Sequence, residues 1–147
     1  MSDIASADTA AQAVQGPTPQ PPASGNGPLQ SMEPAPTEVR PWGAFWVLED
    51  LPHYKLKRLR VLPGNRLSLQ LHHKRQEHWI VVQGVADITV GDKTWQAPVG
   101  EYIHIPCEAQ HRLGNSGTEP VEIIEIQLGN YFGEDDITRA EDDYGRA

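Results

Sequence analysis

The 147-residue chain carries a formal net charge of −8 and a single cysteine, Cys107, with 38% of its residues hydrophobic. One thiol excludes an intramolecular disulfide framework and a cysteine-only metal site. With the acids concentrated at the two ends and a neutral middle, no basic surface of the kind nucleic acid requires is evident. No apolar run approaches the roughly 18 residues of a membrane span, so the chain is expected to be cytoplasmic, with neither membrane nor nucleic acid as a partner.

Before Trp42 there is no aromatic residue, and eight of the thirteen prolines fall in that stretch. Such a Pro/Gly/Ala-rich segment cannot bury enough apolar surface to offset its ordering entropy, so residues 1–37 are expected to form a disordered tail and residues 38–147 a single domain. The first basic residue is Arg40, which argues against a secretory or transit peptide. The charge is uneven: residues 40–133 hold ten acids and ten bases, while the tail and the segment 134–147 each carry −4.

From Trp42 onward apolar residues recur with a period near two, and turn signals follow every eight to twelve residues. GAFWVLED predicts a strand and LPH a turn; YKLKRLRVL alternates until PGN interrupts it. RLSLQLHH alternates again, KRQ reads as a short connection, and EHWIVVQG is a strand rich in β-branched residues. ADITV, the GDK turn, TWQAPV, GEYIHIP, RLGN and VEIIEIQLG continue the pattern. GEDDITRAEDDYGR reads as a short helix or a strap over the fold. Many short, evenly spaced strands predict an all-β sandwich or small barrel of jelly-roll type.

Side chains two apart on a strand share a face. Arg66, Ser68, Gln70 and His72 therefore project one way and Leu67, Leu69 and Leu71 the other. On the next strand Glu77, Trp79 and Val81 share one face, with His78, Ile80 and Val82 opposite. A hairpin between them gathers Gln70, His72 and Glu77, a set of imidazole and oxygen donors suited to a divalent first-row ion. His111 is the natural fourth donor. His53, His73 and His104 read as surface or structural residues. Alternation splits the cationic run, with Lys55 and Lys57 on one side and Arg58 and Arg60 on the other. Glu125 and Gln127 share a face opposite Ile124 and Ile126.

Gly64-x5-Gln70-x-His72-x4-Glu77-x6-Gly84 resembles the first motif of the cupin superfamily, with glutamine where histidine is commoner. Gly100-x5-Pro106-x-Glu108-x2-His111-x3-Asn115 resembles the second, with glutamate replacing its usual glycine. RPWG at 40–43, the run 55–84 and YFGEDDITRAEDDYGR at 131–146 resemble, more closely, the C-terminal cupin domain of type II mannose-6-phosphate isomerases. That domain is usually fused behind a mannose-1-phosphate guanylyltransferase. No Gly-rich nucleotide loop is found here, so the chain is expected to correspond to the isomerase-type cupin alone.

The resemblance implies a cupin-type double-stranded β-helix holding one divalent metal ion (Zn, Mn, Co, Ni or Fe) on Gln70, His72, Glu77 and His111. It implies isomerisation of mannose 6-phosphate and fructose 6-phosphate through an enediolate, in the supply of polysaccharide precursors. Glu125, His78 and Lys57 are then the candidate catalytic groups, and Arg40, Arg66, Ser68, Gln127 and Arg139 the candidate substrate contacts. The alternative is a non-catalytic module that binds a sugar phosphate or nucleotide sugar. An iron-dependent oxygenase is a third reading, which Gln70 argues against because such sites favour histidine. A homodimer is expected from the leucine-rich strand faces.

Overall fold

A computed structural model describes residues 33–146, and the first 32 positions of the expected tail lie outside the described residues. The described chain from Pro34 onward is one compact unit. Twelve strands are found among the described residues: β1 (Glu38–Arg40), β2 (Gly43–Asp50), β3 (Tyr54–Val61), β4 (Asn65–Arg66), β5 (Leu69–Leu71), β6 (Arg75–Gln83), β7 (Ala86–Val90), β8 (Lys93–Ala97), β9 (Tyr102–Ile105), β10 (His111–Asn115), β11 (Val121–Gly129) and β12 (Thr138–Glu141). They form two antiparallel sheets, ordered β1-β2-β3-β11-β6-β9 and β12-β5-β10-β7-β8, with β4 also paired to β10. No helix among the described residues is long and apolar enough to cross a membrane. The C-terminal run takes the strap form, since β12 pairs with β5.

The first strand begins at residue 38, and contacts to the domain reach a few residues ahead of it. The Trp46 indole donates to the Pro34 carbonyl at 2.8 Å, and the Val47 amide donates to Thr37 Oγ1 at 2.8 Å. Composition cannot reveal such anchoring, because both donors lie ten or more residues downstream.

Alternation divides the interior into two layers. At one end Val61, Val81, Val121, Ile123, Ile88 and Leu113 are fully buried and form the apolar core. At the other end the same faces carry polar groups: Lys57 on β3, Arg75 and Glu77 on β6, and Glu125 and Gln127 on β11, all buried. Register aligns them in rows, with Glu125 between Lys57 and Trp79, and Gln127 opposite Glu77. Trp79 marks the border between the layers. Gly84, which ends the first motif, has φ +74°, and a Cβ there would lie 2.5 Å from the Pro120 carbonyl oxygen. Only glycine permits both the left-handed backbone and that approach.

Candidate metal and acid–base centre

His72 follows β5, Glu77 lies on β6 and His111 opens β10, so the two sheets together bring the three side chains to one point. Their potential ligand atoms all lie within 4.8 Å of one another, and all three residues are buried. His72 Nδ1–H donates to the Asp136 carbonyl at 2.9 Å, and His111 Nδ1–H donates to the Ala109 carbonyl at 2.9 Å. Both rings are thereby turned so that Nε2 faces Glu77, at 3.0 Å from Oε1 for His72 and 3.5 Å from Oε2 for His111. The backbone bonds fix each tautomer, as is usual for metal-binding imidazoles.

His111 Nε2 is buried without a hydrogen-bond partner. Burial lowers the His111 pKa below its ordinary value, against the opposing pull of Glu77, which favours the form that can bind a metal. Burial by itself raises the Glu77 carboxyl, but contact with His72 and the neighbouring His111 and Arg75 outweigh it and hold the group well below the usual carboxylate range. Two imidazole lone pairs and a carboxylate converging in a buried space fit a divalent cation.

A guanidinium completes the cluster. Arg75 is buried, donating from Nε to Glu77 Oε1 at 3.3 Å and from Nη2 to His72 Nε2 at 3.3 Å. Sequence reasoning missed Arg75 by assigning KRQ to a connection. The signal was there, since residues 75, 77 and 79 share one strand face.

Beside the cluster lies a second buried carboxyl. The Trp79 indole donates to Glu125 Oε2 at 3.0 Å as well as to Glu77 Oε2 at 3.1 Å, and Gln127 Nε2 donates to Glu125 Oε1 at 2.6 Å. Burial, followed by the Glu77 charge, pushes the Glu125 pKa up to about 7, with Lys57 pulling the other way. A carboxyl poised near neutrality next to a cluster that could hold a cation is matched to proton transfer.

The remaining candidates separate. Arg40, Lys57, Ser68, Gln70, Gln127 and Arg139 line the same cavity as Glu77 and Glu125. Gln70 is the cross-strand partner of His111, and its Oε1 accepts from Ser68 Oγ at 3.0 Å. Lys57 Nζ lies 3.4 Å from Glu134 Oε1 and 4.1 Å from the Phe45 ring centroid.

Arg66 does not join them. Its guanidinium forks onto Asp143 on the outside, at 2.7 and 3.1 Å. The strand expected over 66–72 is broken at Leu67 and Ser68, which both line the cavity, so simple alternation fails there. His78 is also displaced from the site: it sits on the outer sheet face, stacked on Tyr102 and His104. Its neighbours Glu77 and Trp79 take the inner face, so the pleat turns it away from the cavity.

A two-sheet antiparallel barrel with a His/Glu/His cluster between the sheets is the architecture of a cupin. Solved structures agree on the fold. A double-stranded β-helix protein from Klebsiella pneumoniae matches with a TM-score of 0.61 at 21% identity, covering 70% of this chain and 90% of that one. A cupin 2 domain-containing protein from Halorhodospira halophila matches with a TM-score of 0.55 at 21% identity, covering 61% and 60%.

The chain belongs to the family described as "Mannose-6-phosphate isomerase C-terminal", whose profile matches residues 30–142. It is 50% identical over 107 residues to the alginate biosynthesis protein AlgA of Pseudomonas aeruginosa, covering 73% of this chain and 22% of that protein. The xanthan biosynthesis protein XanB of Xanthomonas campestris is 50% identical over 107 residues, covering 73% and 23%. Mannose-1-phosphate guanylyltransferase 2 of Escherichia coli is 47% identical over 105 residues, covering 71% and 22%. The chain thus spans less than a quarter of the length of these relatives.

Proposed function

We propose that this domain is a metal-dependent aldose–ketose isomerase that interconverts mannose 6-phosphate and fructose 6-phosphate. The observation that carries the reading is the pairing of a cation-ready His72/Glu77/His111 cluster with Glu125, a buried carboxyl whose pKa is about 7. Gln70, set across from His111, is the proposed fourth ligand, giving one cation on Gln70, His72, Glu77 and His111. The donor set suits zinc and equally manganese, cobalt, nickel or iron.

When bound, the cation supplies Lewis-acid stabilisation of the negative charge that develops on the sugar's carbonyl and hydroxyl oxygens. Glu125 takes the proton from C2 of the open-chain aldose and returns it to C1. Gln127 and Trp79 hold the Glu125 carboxyl in place for both transfers, and the buried wall around it excludes water. Lys57, paired with Glu134 at the cavity wall, offsets part of the negative charge beside the base. Arg40, Ser68 and Arg139 supply polar contacts to substrate.

The test is conversion of mannose 6-phosphate to fructose 6-phosphate by purified, metal-supplemented protein, followed by coupled assay. Saturable binding of the sugar phosphate without turnover would sink the enzymatic reading and leave a binding module. Ile80, Val82, Tyr102 and Ile126 are exposed on the outer face of the sheet that contains β6, β9 and β11, which supports a homodimer through that face. Sedimentation of a monomer at micromolar concentration would exclude it.

A further inference from the structure

The cavity is richer in cations than its acids require. Arg40, Lys57, Arg75, Arg139 and Arg146 all line it, against Glu77, Glu125 and Glu134. Most of these cations have a carboxylate partner: Arg75 has Glu77, Lys57 has Glu134, Arg40 has Glu38 and Arg146 has Asp142. Arg139 is the exception, with its Nε buried and without a hydrogen-bond partner. A guanidinium donor held out of water without an acceptor is costly unless a ligand satisfies it.

Arg139 and Arg146 arrive on one segment. Residue 139 sits on β12, paired with Gln70 on β5. The chain then turns so that Arg146 returns to the same cavity. Asp142 builds that turn: its carboxylate accepts the Arg146 backbone N–H at 2.6 Å and the guanidinium Nε and Nη2 at 3.0 Å each. The Asp142 side chain is fully buried. Two outer fastenings hold the segment down, Tyr144 Oη donating to Asn65 Oδ1 at 3.0 Å and Arg66 forking onto Asp143. Arg66 therefore has a structural employment remote from substrate.

We propose that residues 138–146 form a phosphate-recognising strap, in which Arg139 and Arg146 clamp the phosphate of a phosphorylated sugar and Asp142 is the positioning residue for Arg146. The assignment of the phosphate to a sugar rests on the function proposed above; the clamp for a phosphate group does not. Two planar guanidinium forks match phosphate oxygens in a way that ammonium groups cannot, and the phosphate completes the donors that Arg139 leaves open. Binding energy gathered at this end orients the reacting end towards Glu125.

The test uses the full chain, metal-supplemented and in phosphate-free buffer. Calorimetry measures binding of inorganic phosphate, mannose 6-phosphate and mannose, and turnover is assayed in parallel. Arg146→Ala, Arg139→Ala and the charge-preserving Arg146→Lys are expected to weaken both phosphate ligands about tenfold to a hundredfold, with metal content retained and the protein still folded at the assay temperature. Arg146→Ala melts lower because Asp142 loses its partner. Asp142→Asn is expected to raise KM while kcat moves less than about threefold, the signature of lost binding rather than lost chemistry. Phosphate binding by the wild type that these variants lose supports the strap even if no isomerisation is seen. Undiminished phosphate affinity in folded Arg146→Ala and Arg139→Ala overturns it while leaving an observed isomerase intact, and a wild type that binds no phosphate overturns it as well.

Discussion

Glu77 and Glu125 share one hydrogen-bond donor: the Trp79 indole N–H is 3.1 Å from Oε2 of the first and 3.0 Å from Oε2 of the second. Two carboxyls brought this close cannot both ionise without strong repulsion, and burial sharpens the conflict. The conflict is resolved unequally, with Glu77 held low by contact with His72 and by the neighbouring His111 and Arg75, and Glu125 raised to about 7. The two buried carboxyls therefore differ in acidity, Glu77 favouring the ionised form and Glu125 titrating near neutrality.

Trp79→Phe keeps the aromatic packing and removes the shared donor. It is expected to raise the Glu125 pKa further and to destabilise the domain by about 1–3 kcal/mol, the usual cost of an unsatisfied buried acceptor. Denaturant unfolding of the metal-free protein checks the second figure. A loss below about 0.5 kcal/mol would mean that the indole bond has no structural weight.

Glu125 makes stability depend on pH in a direction opposite to an ordinary paired carboxylate. Its folded pKa is about 7 against an ordinary 4.5, so between these values the folded state binds more protons than the unfolded chain. Its contribution is therefore fully present below pH 4.5 and is lost as pH rises through 7. Glu125→Gln removes this dependence, and Gln127 can accept the new amide by turning its unpartnered Oε1 towards it. Melting curves of metal-free wild type and variant should differ progressively more between pH 5 and 8, the variant being the more stable at the alkaline end. Parallel curves across that range would show that Glu125 does not titrate there. Under the proposed isomerisation, the same substitution in the metal-loaded protein is expected to abolish turnover. The acid limb of the wild-type kcat/KM is expected below pH 7, because a cation at Glu77 favours the ionised form of Glu125.

Metal binding predicts a ligand-linked gain in stability. A cation at a hundred times its dissociation constant stabilises the folded state by about 2.7 kcal/mol, so the midpoint should rise on adding metal and return with chelator. His72→Ala and His111→Ala are each expected to weaken metal affinity by about 100-fold or more, since even outer partners of metal ligands cost 10–100-fold. Elemental analysis after dialysis reads this directly. Full metal content in both variants would place the cation elsewhere.

Much of this arrangement was legible before any coordinates. Strict alternation on β6 and β11 put Glu77 with Trp79 and Glu125 with Gln127, and motif spacing joined His111 to His72. Alternation misled where the strand itself was interrupted: Leu67 and Ser68 are consecutive yet line one cavity, and Arg66 leaves it for Asp143. Residues whose role depends on a distant chain segment were not readable from local pattern. Asp136, whose carbonyl orients His72, lies 64 residues from it, and Arg146 reaches the site only through the turn around Asp142. The glutamate that departs from the second motif becomes intelligible, in part, from its backbone. Glu108 is the one non-glycine residue with positive φ among the described residues, at 67°, the conformation in which glycine is at ease.

Arg75 supplies the last prediction, because it is the cation that the metal-free cluster already contains. Removing one partner of a buried ion pair typically costs about 3–5 kcal/mol, since the other charge is left uncompensated. Arg75→Met keeps the aliphatic bulk and strips Glu77 and His72 of the guanidinium that bridges them. The metal-free variant should therefore be destabilised by an amount in that range. A divalent cation at the cluster supplies the missing positive charge, so the thermal shift on adding metal should be larger in Arg75→Met than in wild type. Equal shifts in the two proteins would mean that Arg75 and the cation act on different groups, and would separate the guanidinium from the cation site altogether.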